Sequence, residues 1–78
     1  MRAFVEIRVE AGRVGSVLKK VRRVEYVRGA TAVMGHCEIV ATVETPNLEV
    51  LTETVLESIQ KLEGVTRTET LMCIKPPS

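Results

Sequence analysis

The feature that most constrains this 78-residue chain is that it runs through one pattern twice. Val24-Glu25-Tyr26-Val27 matches Leu62-Glu63-Gly64-Val65, and Val33-Met34 matches Leu71-Met72 at the same spacing. Each copy closes a strand–helix–strand unit. In the first unit, Val5, Ile7 and Val9 alternate with Glu6 and Arg8 across residues 3–9, the period of a half-buried strand. Val14, Val17, Leu18 and Val21 then recur at i, i+3, i+4 and i+7, giving a helix over about 13–24. Small and β-favouring residues at 29–34, closed by Gly35, predict the second strand.

The second unit opens with a strand at Cys37–Glu44, where Ile39, Ala41 and Val43 alternate with Glu38, Val40 and Thr42. Thr45-Pro46-Asn47 signals a helix start, with Thr45 or Asn47 as the cap. Leu48, Leu51, Val55, Ile59 and Leu62 mark its buried face, and Gly64 is placed to end it in a left-handed conformation. The last strand spans about Val65–Ile74. Residues 1–75 are expected to form one domain, and Pro76-Pro77-Ser78 a short tail whose prolines cannot extend a ladder. Two units with right-handed crossovers interleave into an α+β, ferredoxin-like βαββαβ fold: a four-stranded antiparallel sheet with both helices on one face.

That fold leaves one face of the sheet bare, and the strands are not cleanly polar on it. Phe4 keeps company with Glu6 and Arg8, and Val40 with Glu38 and Thr42. Apolar residues on both faces call for cover on both, so two subunits are expected to pack sheet against sheet as a dimeric α+β-barrel type of assembly. So short a chain buries too little surface to be comfortable alone, which points the same way.

The formal charge of +1 conceals a segregation. Residues 13–28 carry six basic side chains against Glu25, and residues 44–63 carry five glutamates against Lys61. Such runs are either solvated helix faces or complementary patches between subunits. An acidic element of equal size opposes direct binding of nucleic acid, and Phe4 and Tyr26 are too few and misplaced for base stacking. No apolar run approaches the roughly 20 residues of a membrane span, and two cysteines are too few for a disulfide framework. A cytoplasmic protein is expected, without membrane association.

Met34-Gly35-His36-Cys37-Glu38 is the densest candidate for chemistry, sitting at the turn between the second and third strands. If strand geometry extends through it, His36 and Cys37 point apart and only His36 and Glu38 converge, so neither a metal nor a cofactor is expected. Phosphate cradles, nucleophile elbows and His–Asp pairs are lacking, and the chain is not expected to be an enzyme. Thr66, Thr68 and Thr70 form a row on the last strand that serves β-propensity or a small polar ligand.

On these residues the chain resembles the RAM domain, the C-terminal effector-binding domain of the Lrp/AsnC (feast/famine) transcription regulators. Met34-Gly35-His36-Cys37-Glu38-Ile39-Val40 is similar to the family's Gly-[Asp/Glu]-Tyr-Asp-[Leu/Ile]-Val turn, and Leu62–Leu71 to its Pro-Gly-Val-x-x-Thr-x-Thr-Leu ending. His36 and Cys37 replace the usual acidic and aromatic residues, and Glu38 is one methylene longer than the common Asp. With no room for a helix-turn-helix before the first strand, the resemblance is to a stand-alone member. It implies a non-enzymatic amino-acid-binding and oligomerisation module that modulates transcription through assembly. Its partners would be copies of itself, from dimers to tetramers, octamers or rings, and a full-length Lrp/AsnC regulator. The effector would lie between subunits, with Met34, Gly35, His36, Cys37 and Glu38 at the turn and Thr68 and Thr70 on the pocket wall. Gly35 would bring its backbone to the ligand, and Glu38 would meet its amine. The alternatives are a purely structural oligomerisation partner and a small dimeric α+β-barrel enzyme.

Overall fold

A computed structural model describes residues 1–75, so the tail proposed for 76–78 lies outside the described residues. The element order is β1 (Arg2–Val9), α1 (Val14–Val21), β2 (Val27–Ala32), β3 (Ile39–Glu44), α2 (Leu48–Glu53) and β4 (Val65–Met72), with α2 continuing as a π-helical segment over Thr54–Ile59. The strands form one antiparallel sheet in the order β2-β3-β1-β4. This is the ferredoxin-like arrangement, with the two units interleaved so that their first strands, β1 and β3, lie at the centre.

Alternation decides which side chains meet the helices. Ala3, Val5, Ile7 and Val9 of β1 and Ile39, Ala41 and Val43 of β3 are buried against Val17 and Val21 of α1 and Leu51, Val55 and Ile59 of the second helix. Ile7, Ile39 and Ile59 are the largest fully buried side chains, each a site where truncation to Ala costs about 2–5 kcal/mol.

The internal repeat is structural as well as literal. Both helices end by passing through one left-handed residue, Tyr26 (φ 74°) and Gly64 (φ 99°). Val27 N–H donates to Val24 O and Val65 N–H to Leu62 O, closing the same turn twice. The left-handed carbonyls are used alike: Tyr26 O accepts from Glu44 N–H, just where β3 ends, and Gly64 O from Glu10 N–H, just after β1.

Several boundaries differ from the sequence-based expectation. The second helix is capped by Asn47, whose side chain accepts from Val50 N–H at 2.9 Å, so Pro46 precedes the helix instead of opening it. Its second half takes the wider π turn, in which Gln60 N–H reaches back five residues to Val55 O at 2.9 Å. Thr54 is drawn into the interior, its hydroxyl donating to Val50 O, while Leu48 stays half exposed at the start of the helix. β2 begins two residues early and ends at Ala32, and β3 starts only at Ile39, so Val33–Glu38 is a six-residue loop and not a tight turn. The basic and acidic segments touch within the chain, through Arg13–Glu63 at 3.2 Å and Arg28–Glu44 at 3.4 Å. No helix of the described residues is long and apolar enough to cross a membrane.

Candidate functional site

The loop Val33–Glu38 is held at both ends. Val33 N–H donates to Glu38 O at 2.9 Å, closing it, and Glu38 N–H donates to Ile7 O at 3.0 Å, pinning it to β1. Within it Gly35 (φ 151°) takes a conformation that side chains with a Cβ avoid. His36 then leans back over the sheet, its Nε2 3.0 Å from Oε2 of Glu6, while Cys37 turns inward and is buried. Beneath the loop lies a half-open cleft of about 250 Å³ lined by Glu6, Arg8, His36, Cys37, Arg67, Thr68 and Glu69.

Its electrostatics follow from the β1–β4 register. Glu6 lies directly opposite Glu69, and Arg8 directly opposite Arg67, on the face turned away from the helices. Like charges facing each other across a ladder oppose its formation, so each row is a place where an opposite charge is welcome. Glu38 answers part of this: its Oε1 accepts from Val9 N–H at 2.7 Å and lies 3.3 Å from Arg8 Nε. Burial pushes the Cys37 thiol above its ordinary pKa, and the nearby carboxylates of Glu6 and Glu38 push the same way, against smaller opposing effects of an Ile7 backbone hydrogen bond and Arg8. Carboxylates in one row and guanidiniums in the next can hold an ammonium and a carboxylate side by side.

Of the residues singled out in the sequence, the structure brings His36, Cys37 and Thr68 together at the cleft. Met34 is fully exposed at the loop tip, and Glu38 is engaged with β1 outside the lining. Thr70 faces the helix side of β4, where with Leu48, Leu51, Val55, Leu56 and Met72 it borders a second, more apolar groove of about 300 Å³. Thr68 stands between the two, its hydroxyl accepting from Gln60 Nε2 at 2.7 Å. The expectation that His36 and Cys37 diverge does not hold, because they lie in a loop and not in β3. Their ligand atoms and a carboxylate oxygen of Glu6 all fall within 4.8 Å of one another. Glu6, Arg8, Arg67 and Glu69 escaped notice as site residues. Alternation had already turned Glu6 and Arg8 outward, but their like-charged partners emerge only from the register with β4.

The Lrp/AsnC ligand binding domain model matches residues 2–78. The structure is similar to that of TTHA0845 from Thermus thermophilus, at 34% identity and a TM-score of 0.91, over 99% of this chain and 96% of that one. E. coli AsnC shares the fold at 24% identity and a TM-score of 0.89, and a Neisseria meningitidis transcriptional regulator, NMB0573, solved with L-Met, at 17% and 0.83. The alignments take in 99% and 95% of this chain but only 52% and 49% of those two proteins. Comparison with curated protein sequences returns no match. A family match that runs almost end to end, on a fold and topology held in common, has one consequence: the chain belongs to the Lrp/AsnC ligand-binding domain family.

Proposed function

We propose that this chain is a non-enzymatic module that binds an amino acid in the cleft beneath the β2–β3 loop and couples that binding to assembly with copies of itself. The observation that carries the reading is the pair of like-charged rows, Glu6 with Glu69 and Arg8 with Arg67. They lie two residues apart along the strands, about 6.8 Å. That spacing suits an α-ammonium and an α-carboxylate together with their hydrogen bonds. Glu38 then acts through Arg8, holding the guanidinium at the cleft, and Gly35 lets the loop close over it. The L-Met complex of the meningococcal regulator supports an amino acid as the ligand class on this fold.

Assembly is supported by the bare sheet face. Phe4 and Val40 are half-buried and Leu71 is 46% exposed on the side that no helix covers, the surface a second copy would occupy. A ligand that a neighbouring subunit helps to enclose must stabilise the assembly, by about 2.7 kcal/mol when it is present at a hundred times its dissociation constant. Acting through a full-length regulator in the cytoplasm, such a module would alter transcription by changing what it assembles with.

Native mass spectrometry of the protein with and without a panel of amino acids tests this. The expected result is an even-numbered assembly that gains one amino-acid mass per site or changes size with a panel member, an effect weakened at least about tenfold in Arg67→Ala and Glu69→Ala. An assembly indifferent to the whole panel would replace this reading with purely structural oligomerisation.

A further inference from the structure

We propose that Glu6, His36 and Cys37 form a zinc site at the edge of the cleft, with one coordination position left open toward it. The inference shares Glu6 with the amino-acid reading but does not rest on it, because it is argued from the convergence of three donor atoms and not from the pairing of like charges. Imidazole nitrogen, thiolate sulfur and carboxylate oxygen are all donor types that zinc takes, and in its sites with three protein ligands the fourth position goes to water or a bound molecule.

The geometry is close to what the metal needs. The three donor atoms lie within 4.8 Å of one another, and His36 Nε2 is already 3.0 Å from Glu6 Oε2. A tetrahedral zinc sets its ligand atoms about 3.3–3.7 Å apart, so small rotations suffice. His36 can supply them, since its side chain is 76% exposed and unpacked, while Glu6 and Cys37 are anchored on and against β1. The backbone adds to this. Consecutive strand residues could not both reach Glu6, and it is because His36 and Cys37 lie in the loop between β2 and β3 that both come to one point. Cys37 is a free thiol without a disulfide partner, and Cys73 lies exposed elsewhere. As zinc binds, the sulfur–hydrogen bond breaks, the proton passes to solvent and the sulfur pair forms the bond to the metal. Thr68 and Arg67 border the open side, so an oxygen ligand entering the cleft could complete the coordination sphere.

The test uses the full, tag-free chain without any amino acid, so that failure here leaves the effector reading standing. Isothermal titration and native mass spectrometry with zinc should show one ion per chain, with affinity reduced at least about tenfold in His36→Ala and in Cys37→Ser and unchanged in Cys73→Ser. Cobalt substituted for zinc should give a thiolate-to-metal charge-transfer band that Cys37→Ser abolishes. His36→Ala alters an exposed side chain and keeps the test valid if Cys37→Ser fails to fold. No zinc uptake by the folded wild type would overturn the proposal, as would zinc bound by the His36→Ala variant with wild-type affinity or a cobalt band lost in Cys73→Ser.

Discussion

Cys37 has a thiol in a setting that disfavours its charged form, through burial first and then the carboxylates of Glu6 and Glu38. The folded protein therefore holds this proton to higher pH than the unfolded chain does. Stability is undiminished below the ordinary thiol range and falls as pH rises past about 8.5, where the unfolded chain begins to release the proton first. Urea midpoints of the metal-free protein, measured from neutral to alkaline pH, should decline across that range in the wild type and in Cys73→Ser, and decline less in Cys37→Ala. An equal slope in all three would show that Cys37 does not govern it. The two cysteines should also separate kinetically: with iodoacetamide at neutral pH, Cys73 is alkylated first and Cys37 stays protected while the chain is folded, because only the former is exposed.

The two units leave their helices through equivalent left-handed residues, but with different room for a side chain. A Cβ at Gly64 would come within 2.7 Å of Val17 Cγ2, in addition to the strain of φ 99°. Gly64→Ala should therefore destabilise the protein by about 1–3 kcal/mol, read as a lowered melting temperature. Tyr26, at φ 74°, bears the same backbone strain but packs its ring against the core, so Tyr26→Gly exchanges packing for relief and should change stability less. The alignment of Tyr26 with Gly64 was legible in the letters, as were the strand periods and the helix stripe. The π segment was not: Leu51, Val55 and Ile59 recur every four residues, a spacing that an α-helix and a wider helix accommodate equally over so short a run. The β2–β3 loop was hidden for a related reason. Gly29–Met34 has the composition of a strand, but its pairing ends where Ala32 meets Ile39, and the path of the chain between them is governed by hydrogen bonds to β1 and by the register of Glu6.

At the scale of the molecule, the sheet has one finished face and one unfinished. Phe4, Val40 and Leu71 occupy the latter, with the charged rows at its end. Val40→Asp and Leu71→Asp should each leave the helix-covered core and the circular dichroism spectrum intact while shifting the mass in analytical ultracentrifugation toward the monomer. An unaltered sedimentation coefficient in both would mean that the face is not what joins subunits. A different property of the whole follows from the central position of β1 and β3. Ala3 lies opposite Met72, and Cys73 N–H donates to Arg2 O at 2.9 Å, so the beginning of β1 and the end of β4 are side by side. If those ends were joined and the chain opened in the loop 33–38, the order read from the new start would again be strand, helix, strand, strand, helix, strand. The order of elements is thus closed under circular permutation at its midpoint, so a chain permuted there would carry the same succession of elements onto the same sheet.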